Sequence, residues 1–148
     1  MPAQTPADAL RAVGIACEPA EEVLGAVVRL EAARIADALE ALYAEGYDFL
    51  VDLFATDTGE RLEVTWHVRA FERHEDLYLK ATVDYDGEAP SVWSIHPAAL
   101  YPEREAAELL GMRFPGHPNP KRLLTVDGTE PLLRRSILLR TAEEARLS

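Results

Sequence analysis

Apolar and polar positions along this chain switch between two periods, and the switches mark its elements. In residues 62–68, Leu62, Val64, Trp66 and Val68 alternate with Glu63, Thr65 and His67, the pattern of a strand with one dry face. Leu77 and Leu79 alternate with Tyr78 and Lys80 in the same way, and residues 47–54 form a mostly apolar run broken by Asp48 and Asp52. Turn-forming residues separate the three strands: Thr56, Asp57, Thr58 and Gly59 in one gap, and the polar stretch 72–76 in the other. Three consecutive strands joined by short turns predict an antiparallel meander.

The helical period shows in residues 32–45, where Ile35, Leu39 and Leu42 recur at spacings of four and three while Arg34, Asp37 and Glu45 fall toward solvent. Gly46 closes that helix. A shorter one is predicted ahead of it, with Thr5 as N-cap, Pro6 in the first turn, Asp8 against the helix dipole and Gly14 as the stop. Between the two, Val23, Val27 and Val28 predict a strand over residues 22–30 with a bulge at Gly25. Residues 84–90 read as a loop and 92–95 as a last short strand. Pro102, Glu103 and Glu105 then open a helix that Gly111 ends in a left-handed cap.

One amphipathic helix cannot cover both faces of such a sheet, so the pattern predicts an α+β fold, a two-layer sandwich of a mainly antiparallel or mixed sheet with helices. Past Gly111 the periodicity stops. Pro115, Pro118 and Pro120 each remove a backbone donor and favour extended neighbours, so residues 112–121 are expected to run as a ribbon over some surface. The expected division is a globular body at 1–111 and an extended, proline-rich, basic tail at 112–148 that docks on partner subunits.

Composition sharpens this picture. The 148 residues are 48% hydrophobic and 28% charged, a globular balance with material for a real core. The net charge of −11 is uneven: residues 1–100 hold seven Lys or Arg and nineteen Asp or Glu, whereas residues 101–148 hold eight and seven. A surface that reads nucleic-acid phosphates needs a basic face, so no nucleic-acid partner is expected. Anionic lipid would repel the body as well. Arg113, Lys121, Arg122, Arg134 and Arg135 instead suggest a tail that docks on an acidic neighbour or on its own body.

Autonomous chemistry finds little support. Cys17 stands alone, whereas an iron–sulfur cluster takes about four thiolates, so no cofactor is expected and a disulfide framework is excluded. His67, His74, His96 and His117 show no metal-binding spacing, and no glycine-rich phosphate loop or nucleophile elbow is present. Glu103 and Glu105 splay apart on a helix, while Arg104 and Glu108 share a face and suit an ion pair. His117, held between Gly116 and Pro118, can either meet a partner in one orientation or bond its own backbone to pin the ribbon. No basic start followed by an apolar block suggests a signal peptide, and no run reaches the roughly 20 apolar residues of a spanning helix.

Glu103-Arg104-Glu105, Gly111, Phe114, Gly116-His117-Pro118, Arg122-Leu123-Leu124 and Pro131-Leu132 together resemble the signature of the 30-kDa-type subunit of respiratory complex I, the proton-pumping NADH:quinone oxidoreductase. Upstream, residues 49–53, Leu62-Glu63-Val64 with His67, and Ser91-Val92-Trp93 are similar to that family in order and spacing. The sequence departs from the pattern at Glu108, where the family usually has Asp, and at Asn119-Pro120-Lys121, where it favours Asp-Leu-Arg. The resemblance implies a cofactor-free accessory subunit of the peripheral arm, beside the iron–sulfur and quinone-site subunits. It also implies a cytoplasmic place, peripheral on the inner face of the cell membrane through those partners. Glu103, Arg104, Glu105, Gly111, Phe114, Gly116, His117, Pro118, Arg122, Arg134 and Arg135 are its expected subunit-interface residues. The alternatives are the equivalent subunit of a membrane-bound hydrogenase, or a stand-alone small α+β enzyme or ligand-binding domain with a pocket formed by His67, His117 and the helix carrying Glu103 and Glu108.

Overall fold

The computed structural model describes residues 4–134. Five strands form one mixed sheet: β1 (Cys17–Glu22), β2 (Gly25–Leu30), β3 (Phe49–Asp57), β4 (Leu62–Ala70) and β5 (Glu75–Val83). Their order across the sheet is β1-β2-β5-β4-β3. The meander β3-β4-β5 is antiparallel as its alternation predicts, and β5 meets β2 in parallel, so a separate hairpin is added to the meander's open edge. Helices α1 (Pro6–Ala12), α2 (Ile35–Ala44) and α3 (Leu100–Leu110) complete the α+β sandwich.

The core lies on one face of the sheet. Leu62, Val64, Trp66 and Val68 of β4 face it with Leu77 and Leu79 of β5 and Val28 of β2, and Leu10, Ile35, Leu39 and Leu42 of the helices close over them. The opposite face carries the polar alternates in matched pairs. Arg29 reaches Glu22 at 2.6 Å and Glu63 at 3.0 Å, Lys80 reaches Glu22 at 2.7 Å, and Asp76 accepts from Arg69 at 2.6 Å beside His67 at 2.9 Å. His67 is thus bonded to a cross-strand carboxylate.

Asp52 interrupts the apolar run without entering the core because β3 shifts register between Leu50 and Asp52. This bulge at Val51 lets Leu50 and Leu53, three residues apart, both face inward, where a regular strand would turn one of them out.

Two expectations are corrected. Residues 22–30 are not a single bulged strand: β1 ends at Glu22, Val23 and Leu24 make the turn, and β2 starts at Gly25 with φ +131. β1 was hidden because Cys17–Glu22, with Pro19 and three glutamates, carries no strand pattern; it is tolerated as an edge, where a missing donor and outward charges discourage further pairing. Residues 92–95 are a turn, with the Ile95 and His96 N–H groups both donating to the Val92 carbonyl. The extended pairing forms just before it, where Ala89 and Ser91 donate to the Arg113 and Pro115 carbonyls and Arg113 donates to Gly87.

That turn buries His96, which is 3% exposed and whose Nε2 has no hydrogen-bond partner among the described residues. Burial holds its pKa below the ordinary histidine value, only partly opposed by the charge of Asp48. An unfolded chain therefore takes up a proton that the folded chain resists, and stability is lost as pH falls below about 6.5. Urea midpoints measured at pH 7.5 and 5.5 are expected to drop more for the wild type than for His96→Leu; equal drops would remove His96 from the account.

Candidate functional site

The site is built on α3 and on the chain that follows it. Pro102 suits the first turn, and Gly111 caps the other end at φ +72, as a left-handed C-terminal residue should. α3 packs against β3, and Arg104 and Glu108 turn toward the ribbon while Glu105 stays exposed.

Glu103 is fully buried, an unusual place for a carboxylate. Its oxygens accept from the Ser91 hydroxyl at 2.6 Å and the Val92 N–H at 2.7 Å, tying α3 to the turn at 92–95. Burial raises its pKa, against the lowering effect of these two donors and of His117. The His117 ring is turned inward beside it, with Nε2 3.8 Å from a Glu103 oxygen. Nε2 lies 2.8 Å from the Leu100 carbonyl, which can only accept, and Nδ1 lies 2.9 Å from the Asn119 N–H, which can only donate. Both contacts are satisfied by the neutral ring with its proton on Nε2. His117 pins the ribbon to the start of α3.

One turn further along, Glu108 receives the backbone N–H groups of Leu123, Leu124 and Thr125 at 3.1, 2.8 and 2.6 Å, together with the Thr125 hydroxyl. Burial works to raise its pKa, but the Thr125 hydroxyl and the three N–H donors outweigh it and hold the group at about 2. The expected pairing of Glu108 with Arg104 does not form. Arg104 instead donates to the carbonyls of Lys121 and Arg122 at 2.8 and 2.9 Å, and Arg122 donates to the Thr125 hydroxyl and the Thr129 carbonyl at 2.7 and 2.8 Å. The chain then returns to α3, where the Leu133 N–H meets the Leu109 carbonyl. Arg134 covers the helix end, donating to Leu110, Gly111 and the Asp86 carboxylate.

The interface residues expected from sequence fall into two groups. Glu105, Gly116 and Pro118 are exposed, whereas Glu103 and Phe114 are buried, and Arg104, Arg122 and Arg134 are engaged with carbonyls of their own chain. Met112 and Phe114 join the core, so packing continues past Gly111 into the ribbon. Arg135 lies outside the described residues. A cleft of about 400 Å³ between α3 and the ribbon is floored by Glu103 and walled by His117, Met112 and Phe114. His67 is not part of its lining, so the pocket required by the stand-alone alternative is not assembled. Glu108 as the ribbon's anchor was not foreseen, since the donors it collects lie 15–17 residues away.

A family model described as respiratory-chain NADH dehydrogenase, 30 Kd subunit, matches residues 28–141, from β2 through the ribbon. The chain belongs to this family. Its relatives include the C-type subunit of the NADH-quinone oxidoreductase of Moorella thermoacetica, 40% identical over 100 residues that make up 62% of this chain and 68% of that protein. The counterpart from Rhodobacter capsulatus is 39% identical over 79 residues, 51% of this chain and 40% of that protein. The chain thus spans about two-thirds of the first relative and less than half of the second. Among solved structures, a trypsin-resistant fragment of Nqo5 superposes with a TM-score of 0.63 at 26% identity, covering 74% of this chain and 92% of that one. A chain of the archaeal membrane-bound sulfane sulfur reductase superposes at 0.70 over 83% and 75%, but at 21% identity it shows the fold alone. Family and α+β fold are as the sequence implied. No helix among the described residues is long and apolar enough to cross a membrane.

Proposed function

We propose that this chain is a cofactor-free accessory subunit of the peripheral arm of an NADH:quinone oxidoreductase. It holds the iron–sulfur and quinone-site subunits together and reaches the inner face of the cell membrane through them. The observation that carries this reading is the family match from residue 28 to 141, which includes α3 and the ribbon along with most of the sheet. Cys17 is buried, with its thiol pointing at the Ala7 carbonyl 3.6 Å away.

The contact with neighbouring subunits is assigned to the outer surface of α3 and the ribbon. Glu105, Gly116 and Pro118 supply exposed surface there, and Arg104, Arg122 and Arg134 fix the ribbon's shape. The body from residue 4 to 100, with its excess of acid, forms the rigid base.

A tagged chain purified from a mild-detergent extract of its host should bring down iron–sulfur and quinone-site subunits with NADH:quinone reductase activity. Recovery of the chain alone, from a host whose complex is intact, would overturn the reading. Arg104→Ala and Arg122→Ala are expected to lower the yield of complex several-fold while the isolated chain keeps its circular dichroism spectrum. Each substitution removes two bonds that shape the ribbon and none that close the core. Wild-type yield from both variants would show that ribbon shape does not matter for assembly.

A further inference from the structure

Resting on the accessory-subunit reading, we infer that residues 122–130 are a preformed docking knob whose Leu124 and Val126 enter an apolar, basic-rimmed pocket on a neighbouring protein subunit. Three observations converge on this loop. Its backbone is fixed by α3, because the buried Glu108 carboxylate gathers the N–H groups of Leu123, Leu124 and Thr125. Arg122 adds bonds to the Thr125 hydroxyl and the Thr129 carbonyl, closing the loop on itself.

Yet the apolar side chains on this fixed backbone face solvent. Leu124 is 62% exposed and Val126 78% exposed, two residues apart on the same loop. A single exposed aliphatic residue is ordinary; a pair held out on a loop anchored by a buried carboxylate is the arrangement of a binding anchor. Ordering the loop in advance also lowers the entropy lost on docking.

The third observation is charge. The tail reads as basic in sequence, but Arg122 directs its donors to the Thr125 hydroxyl and the Thr129 carbonyl, and Arg134 to the Leu110 and Gly111 carbonyls and the Asp86 carboxylate, which leaves Lys121 as the exposed cation just before the loop. Between Leu123 and Pro131 the charged residues are Asp127 and Glu130, both exposed. Arg122 approaches Asp127 only at 3.8 Å with that carboxylate fully open to water, a contact of little weight. The knob therefore shows an apolar tip beside two acids. Its complement is a hydrophobic pocket edged by Lys or Arg, and an anionic lipid surface would repel it.

The test uses the full tagged chain expressed in its host. Leu124→Asp and Val126→Asp are expected to cut recovery of the iron–sulfur and quinone-site subunits by about tenfold or more, with the thermal midpoint of the isolated chain unchanged. Val23→Asp, the same kind of change at the exposed β1-β2 turn, is expected to recover them as the wild type does. Wild-type recovery by the Leu124 and Val126 variants, or equal loss with Val23→Asp, would overturn the knob. Failure of the wild type to recover those subunits would instead sink the accessory-subunit reading itself. A photoreactive residue at position 124 is expected to crosslink to an apolar segment flanked by Lys or Arg; crosslinks to lipid, or to an acidic segment, would overturn the assigned partner chemistry.

Discussion

Glu108→Ala is expected to release the ribbon beyond Lys121 while the sheet and its helices stay folded. The substitution leaves three backbone N–H groups without their acceptor, and bonds to a charged group are the stronger kind. The local cost is roughly 3 kcal/mol, on the order of a hundredfold faster amide exchange at Leu123, Leu124 and Thr125. Amides of β4, which pair on both sides within the sheet, should exchange as before. Unchanged exchange at the three ribbon amides would mean that the loop is held by contacts other than this carboxylate.

The same group makes the anchor sensitive to acid. With the folded Glu108 carboxyl at about 2 and an ordinary value of 4.5, the folded state binds fewer protons than the unfolded one between those limits. Its contribution is complete above about 4.5 and is lost as pH falls toward 2. A carbon-13 titration of the Glu108 carboxyl should show the low midpoint in the wild type, and a midpoint near the ordinary value would remove the ion from the anchor.

The second large effect is expected at Gly111. A Cβ built there would stand 2.5 Å from Arg134 Nη2 and 2.7 Å from Pro131 Cγ, on a backbone at φ +72 that side chains rarely adopt. Arg134 is long and can swing aside, but the proline ring is fixed to the returning chain. Gly111→Val should therefore lose roughly 3 kcal/mol in urea unfolding, from left-handed strain together with displacement of residues 131–134. Gly111→Ala in an Arg134→Ala background isolates the parts, since removing the guanidinium relieves one clash and leaves both the ring and the strain. A neutral Gly111→Val would show that residues 131–134 are not seated against the helix end.

Much of the fold was legible because its signals are local. Alternation in β4 and β5, the apolar stripe of α2, Thr5 as the N-cap of α1 and Gly111 as the cap of α3 depend only on residues a few positions apart. β1 was not legible, since an acidic, proline-containing edge strand is held in place by pairing with β2 and not by its own pattern. Nor was the role of the arginines on α3 and the tail. Counting charges predicts a basic surface, and the count is right, but it cannot say that Arg104, Arg122 and Arg134 find carbonyls of their own chain before any partner arrives.

The family, the α+β class and the positions of the meander, α2 and α3 follow from residue order, because periodicity, caps and motif residues act over short spans. The packing of distant segments sets that Glu103 and Glu108 face inward as anchors, that His117 is pinned to the start of α3, and that Leu124 and Val126 stand exposed on the ribbon. The reason is physical. A buried carboxylate is stable only when distant donors converge on it, and which donors converge is set by how α3 and the returning chain pack, not by the residues beside it.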